Sequence, residues 1–236
     1  MALPKLNNAP NYEMVIPSTG KKVQFRPFLV KEQKALMIAA ETNEPKLMFR
    51  SVLDVLIGCI EEKVYHSQLT SFDVEYMFLQ MRAKSVGESS EIKIKCEKCG
   101  LGHDITIDLE ELKVDGNHGT KIVEFTDEIK VELNYPTYTD MIDAGVGEGK
   151  DITSDQMFQI VHSCIRAVIT PDERIDMKDV DKKEVQEFIE SMNTEQFAEV
   201  QEFIQNIPRL SHSVKFKCTG CEHENDLKIE GIASFL

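Results

Sequence analysis

The chain has 236 residues, of which 42% are hydrophobic, and it carries a formal net charge of −14 at pH 7. This length and apolar content are sufficient for a folded protein with a real hydrophobic core, which argues against disorder. The acidic surface disfavours nonspecific binding to nucleic acid and to anionic membranes, because both carry negative phosphate groups.

Membrane segments and export signals are not expected. No apolar run reaches the length needed to cross a bilayer, and the first residues lack the pattern of a secretory signal. We therefore expect the protein to be made and kept in a reducing cytosol. There, paired Cys-x-x-Cys motifs indicate a bound metal more often than a disulfide.

Residues 1–90 are predicted to form a small β-unit followed by helices. Alternating apolar residues at Tyr12–Ile16 and Lys22–Phe25 predict two short strands, with turn residues at positions 17–20 between them. A first helix is predicted to begin at Pro27. Its expected apolar face consists of Leu29, Leu36, Met37 and Ala40.

Two more helices complete this N-terminal segment. A wide apolar stripe from about Pro45 to Glu61 predicts a buried helix. The next helix is predicted to begin near Ser71, because Thr70 has the character of an N-cap and Asp73 places an acid in the first turn.

Residues 91–135 contain the first of two knuckle hairpins, by which we mean β-hairpins whose turn carries a Cys-x-x-Cys motif. This first knuckle hairpin is predicted over about Glu91–Leu109. Two further strands are predicted at Lys121–Phe125 and Ile129–Leu133, on either side of a polar turn.

Residues 136–210 are predicted to be mainly helical, with helices at Ser154–Ile169, Asp181–Met192 and Thr194–Ile207. The glycine-rich loop at 144–150 is superficially similar to a phosphate-binding loop. A Walker loop requires Ser or Thr after its lysine, whereas Asp151 follows Lys150 here. We therefore predict a mobile loop and no nucleotide site.

Residues 211–236 contain the second knuckle hairpin, predicted over Ser213–Glu230, and a short apolar tail at Ile232–Leu236. The tail and residues 1–10 are candidate contacts for partner proteins, or for the protein's own body. The four segments are predicted to form one unit that is tied together by a metal.

The two knuckle hairpins are near copies of each other. The first reads IKIKCEKC from Ile92 and the second reads VKFKCTGC from Val214, and the spacing to the following strand is also the same. Four thiolates form the ligand set of a closed structural zinc site. We therefore predict a structural Zn²⁺ that ties together segments separated by 118 residues. Its predicted ligands are Cys96, Cys99, Cys218 and Cys221.

Other features of the knuckles fit this interpretation. Gly100 and Gly220 are expected to supply the positive φ that such tight turns need. His103 and His223 lie close to the cysteines, so either could replace one thiolate ligand, although a solvated position in the turn is also open to them.

Alternative chemistries have less support. A redox pair is expected at a helix N-terminus, whereas both motifs here interrupt strands, and a disulfide needs an oxidising compartment. Cys59 and Cys164 fall on apolar helix faces and are interpreted as core residues. Four thiolates leave no open position for a catalytic zinc, and no His-Glu-x-x-His motif is present. We predict that the protein is not an enzyme and has no small-molecule substrate.

Together these elements predict an α+β protein. It is expected to have a helical core, small antiparallel β units, and a four-Cys zinc ribbon built from the two distant knuckle hairpins.

The run from Ile16 to Glu32, IPSTGKKVQFRPFLVKE, resembles the opening of the baseplate hub proteins of T-even-like contractile-tailed bacteriophages. The chain length and the paired Cys-x-x-Cys hairpins also fit that family. The resemblance implies a structural or assembly component of a tail baseplate hub, with other hub or tail proteins as partners. It further implies a location in the host cell cytoplasm during assembly and in the virion tail baseplate.

One alternative comes from a different functional class, namely a zinc-ribbon protein that binds nucleic acid and regulates transcription. It predicts a basic stripe along the ribbon, for which the only indication is a set of hairpin lysines at positions 93, 95, 98, 215 and 217.

Overall fold

The computed structural model describes residues 10–42, 44–116, 119–146 and 152–230. The apolar tail at 232–236, residues 1–9 and most of the glycine-rich loop at 144–150 lie outside the described residues.

Seven α-helices occur in the described part of the chain. They are α1 (Val30–Glu41), α2 (Pro45–Cys59), α3 (Ser71–Ser85), α4 (Tyr138–Asp143), α5 (Ser154–Cys164), α6 (Lys182–Glu190) and α7 (Thr194–Gln205).

Eleven β-strands occur in the same ranges. They are β1 (Tyr12–Val15), β2 (Lys22–Phe25), β3 (Ser89–Lys95), β4 (Gly102–Asp108), β5 (Lys113–Asp115), β6 (Lys121–Glu124), β7 (Lys130–Leu133), β8 (Ile165–Ile169), β9 (Arg174–Asp176), β10 (Arg209–Lys217) and β11 (Glu224–Glu230).

The strands form four small antiparallel sheets, so the α+β prediction is confirmed. Strands β1 and β2 pair as one hairpin and β3 and β4 as another. A three-stranded sheet has the order β11-β10-β5, and a four-stranded sheet has the order β6-β7-β8-β9. The two predicted knuckle hairpins are therefore β3–β4 and β10–β11.

Capping residues set several helix starts as the sequence indicates. The Thr70 side chain accepts a hydrogen bond from the N–H of Asp73, and the Asp73 carboxylate accepts one from the N–H of Thr70 at 2.9 Å. This capping box begins α3 where it was predicted. Thr137 and Asp140 form the same box at the start of α4.

Buried side chains form two clusters. The first lies among the β1–β2 hairpin, α2, α3 and the inner faces of both knuckle hairpins, and it includes Val23, Leu56, Met77, Ile107 and Leu210. It draws residues from all four sequence segments, whose boundaries stay a prediction.

The second cluster lies between the four-stranded sheet and the later helices. Its buried members include Val131 and Leu133 of β7, Cys164 of α5 and Val200 of α7. Phe72 of α3 also belongs to it and packs edge-on against the ring of Tyr135. Helix α3 therefore contributes to both clusters, and so joins them by packing.

The predicted helix Ser154–Ile169 is wrong in its second part. The helix ends at Cys164, and Ile165–Ile169 form strand β8, which pairs with both β7 and β9. This segment is rich in β-branched residues, whose side chains favour a pleated sheet and lose rotamer freedom in a helix. The strand and the final helical turn are similarly apolar, so hydrophobicity alone does not separate them.

Helix α1 begins at Val30 and not at the predicted Pro27, and of its predicted apolar residues Leu36 packs against the first cluster. The helix is present, but Met37 and Ala40 are exposed, and Glu32 and Ala39 are the buried residues. Glu32 is turned inward because its carboxylate pairs with Arg26 at 2.8 Å. This ion pair overrides the apolar pattern of the helix.

Candidate metal centre

The first knuckle is a tight turn between two strands in continuous register. Strands β3 and β4 pair from Ser89 with Asp108 to Lys95 with Gly102. Within the turn, the N–H of Gly100 donates to the carbonyl of Cys96 at 2.8 Å, and the N–H of Cys96 donates to the carbonyl of Leu101 at 2.9 Å. Gly100 has a φ of +72°, which glycine adopts without strain.

The second knuckle repeats this turn with a different residue at the strained position. The N–H of Glu222 donates to the carbonyl of Cys218 at 3.0 Å, and the N–H of Cys218 donates to the carbonyl of His223 at 2.8 Å. Glu222 has a φ of +56°. The prediction that Gly220 supplies the positive φ is therefore wrong, because Glu222 is the counterpart of Gly100.

Gly220 has a different role, which is to allow the two knuckles to approach each other. A Cβ atom at Gly220 would lie 2.9 Å from Cδ2 of Leu101 in the first knuckle and 3.9 Å from Sγ of Cys218. Its backbone N–H also points to the sulfur of Cys218, at 3.4 Å. A side chain at this position would push the hairpins apart.

The four predicted ligand sulfurs converge on one point. Sγ of Cys96 lies 3.7 Å from Sγ of Cys221, and Sγ of Cys99 lies 3.6 Å from Sγ of Cys218. All four sulfurs lie within 4.8 Å of one another, so they could hold a metal ion. A tetrahedral ion with metal–sulfur bonds of about 2.3 Å requires sulfur–sulfur distances of about 3.8 Å. The two closest pairs match that requirement.

Each hairpin also directs a nitrogen to the first cysteine of the other hairpin. Nε2 of His103 lies 3.3 Å from Sγ of Cys218, and Nδ2 of Asn225 lies 3.6 Å from Sγ of Cys96. His103 and Asn225 each stand seven residues after the first cysteine of their own hairpin. The contacts therefore have the pattern of a local two-fold axis through the sulfur cluster.

Asn225 also locks the two knuckles together through their backbones. Its Oδ1 accepts a hydrogen bond from the N–H of Glu97 at 3.0 Å, and its Nδ2 donates to the carbonyl of His223 at 3.1 Å. The side chain is 2% exposed. Sequence analysis missed Asn225, although superposing the two hairpin sequences pairs it with His103.

The two histidines do not join the converging group. The ring of His103 contacts one sulfur from outside and packs on the ring of Phe216, with the centroids 4.9 Å apart. His223 contributes its carbonyl to the second knuckle turn. Among the described residues, the group that could hold a metal ion consists of the four cysteines.

The surroundings of the sulfurs give Cys218 and Cys221 very different pKa values. Burial raises the pKa of Cys218, but the backbone N–H groups of Cys221 and Gly220 and the side chains of His103 and Cys99 outweigh it and hold that pKa at about 5. The backbone of His223 acts to lower the pKa of Cys221, yet burial and the neighbouring sulfurs raise it to about 12. Without a cation, repulsion between the sulfurs prevents all four from being thiolates, and a bound divalent ion would remove that repulsion.

The two remaining cysteines lie away from this centre. Cys59 is buried in the first cluster and Cys164 in the second, as expected for core residues. Burial raises the pKa of the Cys59 thiol to about 11, which keeps it protonated and unreactive at neutral pH.

None of the described helices is long and apolar enough to cross a membrane.

An open surface cleft of about 440 Å³ lies beside β8 and β9, and Arg166 and Arg174 line it. Both arginines pair with the carboxylate of Glu132, and Arg174 also pairs with Asp176.

Comparison with known proteins gives one result. A family model described as T4 bacteriophage base plate protein matches residues 9–236. No curated protein and no solved structure matches the chain significantly. The matched range includes the run at 16–32 and both knuckle hairpins.

Proposed function

Because the chain belongs to the T4 bacteriophage base plate protein family, we propose that it is a structural or assembly component of a phage tail base plate hub. We further propose that it has no catalytic activity and that a structural Zn²⁺ holds its two knuckle hairpins together. The observation that carries this proposal is the convergence of four sulfurs from hairpins 119 or more positions apart.

Zinc is the ion that this donor set fits best. Thiolates are soft ligands that select Zn²⁺ over Mg²⁺ and Ca²⁺, which prefer oxygen ligands. The N–H groups of Gly220 and Asn225 point at sulfurs and would stabilise the thiolate state, and Nε2 of His103 would do the same in the tautomer that protonates it.

A structural rather than catalytic role follows from the ligand count. Four cysteine ligands fill a tetrahedral shell, whereas a catalytic zinc keeps one position for water or substrate. The bound ion would join the turns of two separate sheets and fix how they face each other. A rigid body of this kind is suited to presenting surfaces to other base plate or tail proteins.

The proposal includes a place and a set of partners. We propose that the protein is made in the host cell cytoplasm, meets other hub or tail proteins there, and enters the tail base plate. The nucleic-acid alternative requires a basic stripe, but three of the five hairpin lysines are paired with carboxylates. Lys93, Lys215 and Lys217 pair with Asp104, Asp226 and Glu222.

Metal analysis tests the zinc part of the proposal. Protein purified without chelator should contain one Zn²⁺ per chain, with a shell of four sulfurs at about 2.3 Å by X-ray absorption. The Cys218→Ser variant should lose most of the metal. The Cys59→Ala variant should retain it, because Cys59 is not one of the four converging cysteines. Oxygen in the shell, or equal metal content in the two variants, would contradict a four-sulfur site.

Growth of the phage tests the base plate part. A stop codon in this reading frame should leave infected, non-suppressing cells with incomplete base plates in electron micrographs, while heads form normally. Supplying the protein from a plasmid should restore complete tails. Complete base plates formed in its absence would overturn the proposal.

A further inference from the structure

Helix α1 exposes an apolar stripe on the side that faces away from the protein. Val30 is 79% exposed, Met37 is 65% exposed and Ile38 is 52% exposed. These residues are seven and eight positions apart, which is two helical turns, so they share one side of the helix.

The chain itself uses the opposite side of α1. Glu32 and Ala39 are buried there, and Glu32 is held by its ion pair with Arg26 at 2.8 Å. The exposed side chains therefore do not result from a loosely attached helix. The inner face is fixed by charge pairing and packing, which leaves the apolar stripe outward.

Two charged residues lie on the same side of α1 as the stripe and are arranged symmetrically about Met37 and Ile38. Lys34 precedes Met37 by three residues and Glu41 follows Ile38 by three, and both are exposed. If a two-fold axis crosses the helix between Met37 and Ile38, Lys34 of one copy lies opposite Glu41 of the other, and the reverse pair forms as well. An antiparallel partner also brings the C-terminal end of one helix dipole near the N-terminal end of the other.

We propose that this stripe is a self-association surface, at which α1 packs antiparallel against α1 of a second copy of the chain. Met37 and Ile38 supply an apolar centre at the two-fold axis, and the two Lys34–Glu41 pairs fix the direction of packing. The helix has two lysines and two glutamates and thus no net charge, although the chain carries −14. The helix is therefore a face on which two acidic copies can meet with little local repulsion.

The contact should be weak. One helix pair buries less than the roughly 1,600 Å² of a standard protein–protein interface. We expect a dissociation constant of about 10–100 μM, so that dimers form at high protein concentration or when copies are held together in an assembly.

Charge reversal tests this arrangement in solution. Sedimentation velocity of the zinc-loaded full chain, from about 5 to 500 μM in about 150 mM salt, should show a monomer–dimer equilibrium. Lys34→Glu or Glu41→Lys alone should weaken dimerisation about tenfold or more, because each change places like charges opposite each other twice. The double variant K34E/E41K restores opposite charges and should dimerise within about threefold of the wild type.

The control is Lys182→Glu, which changes the net charge equally at an exposed site on α6 and should leave dimerisation unchanged. Thermal melts of each variant should match the wild type, which would show that α1 remains folded. A wild type that stays monomeric over the whole range would overturn the proposal. A double variant that dimerises as weakly as the single variants would also overturn the proposal, because the charges would then not face each other.

Discussion

Glu222 holds a left-handed backbone conformation that glycine holds at the matching position of the other knuckle. A non-glycine residue in this region costs about 1 kcal/mol or more. Glu222→Gly should therefore raise the free energy of unfolding by about 1 kcal/mol, or the melting temperature by about 2–4 °C. The exposed ion pair with Lys217 is lost in this variant, but at 3.7 Å on the surface it contributes little.

The matched change at the first knuckle is Gly100→Ala, which forces a side chain into a φ of +72°. It should lower the melting temperature by a similar amount. Both variants are measured by calorimetry in the zinc-loaded state. If Glu222→Gly were neutral or destabilising while Gly100→Ala destabilised, the second turn would not store strain.

Glu75 should give the protein a pH-dependent stability. Burial raises the pKa of its carboxyl to about 7 from the usual 4.5, against the opposing effects of Arg209 and the N–H of Leu210. Below pH 4.5 the group is protonated in both the folded and the unfolded chain. Between pH 4.5 and 7 the unfolded chain releases its proton first, so the free energy of unfolding falls as the pH rises.

Glu75→Gln should remove the fall in the free energy of unfolding that occurs between pH 4.5 and 7. Relative to the wild type, the variant should be more stable at pH 8 by on the order of 2 kcal/mol and nearly equal at pH 4.5. Urea unfolding at both pH values measures the difference. The control is Glu199→Gln, which removes the same charge from the exposed face of α7. An equal effect of Glu75→Gln at both pH values would show that the Glu75 carboxyl does not titrate in this window.

At the scale of elements, the residues at 16–32 make contacts that attach the β1–β2 hairpin to the first three helices. The N–H and hydroxyl of Ser18 donate to the Asp73 carboxylate at 2.8 and 2.6 Å, which ties the β1–β2 turn to the start of α3. Further along the run, Arg26 pairs with Glu32 and also donates to the carbonyl of Gly58 at 3.1 Å. The run therefore positions the first hairpin on α1, α2 and α3.

Asp73→Asn tests this junction. The fully buried carboxylate accepts hydrogen bonds from both Ser18 and Thr70, and an amide nitrogen would face some of those donors. We expect a loss of about 3 kcal/mol in the free energy of unfolding. Asp140→Asn is the control, because Asp140 forms the same capping box with Thr137 on α4, and it should cost about 1 kcal/mol. Equal losses in the two variants would mean that the Ser18 contact is not stabilising.

The elements that sequence predicts well are those with a local signal. The four-residue pattern from Thr70 to Asp73 predicts the start of α3, and the two Cys-x-x-Cys motifs predict both knuckle hairpins. Strand β8 was missed because its partners, β7 and β9, are what make it a strand. The Ser18–Asp73 contact joins residues 55 positions apart, and no local pattern encodes it.

The candidate metal site likewise combines features that the local sequence predicts with features that it does not. Repetition of the hairpins predicted which sulfurs could meet. The side chains that brace them, His103 and Asn225, become visible only when the two hairpins face each other. Gly220 was given the wrong role for the same reason, because its close neighbour is Leu101 of the other knuckle.

At the scale of the whole molecule, the sulfur cluster and side-chain packing link remote segments in different ways. The first cluster joins Val74 and Met77 of α3 to Leu210 and Val214 of β10. The sulfurs join the outer ends of the two knuckle hairpins, where the strands leave that core. If the proposed Zn²⁺ is bound, the body of the protein should therefore stay folded without it, while the relative position of the knuckles should depend on it.

Removal of the proposed Zn²⁺ should thus have a local effect. Zinc binding to four cysteines supplies roughly 10–16 kcal/mol in small peptides, and without the ion the clustered sulfurs repel each other, so loss of the ion should release the knuckles. After chelation, amide hydrogen exchange should accelerate most in β3–β4 and in the outer parts of β10 and β11. Amides of β7, β8 and α7 should keep their protection, because the second cluster contains none of the four cysteines.

Cys96→Ser should reproduce the exchange pattern of the chelated wild type and should lower the melting temperature by about 10 °C or more. Addition of Zn²⁺ should restore protection to the chelated wild type and not to the variant. A uniform loss of protection would mean that the ion supports the whole fold and not only the knuckles. Unchanged exchange in both hairpins would mean that packing and the Asn225 hydrogen bonds hold the knuckles without a metal.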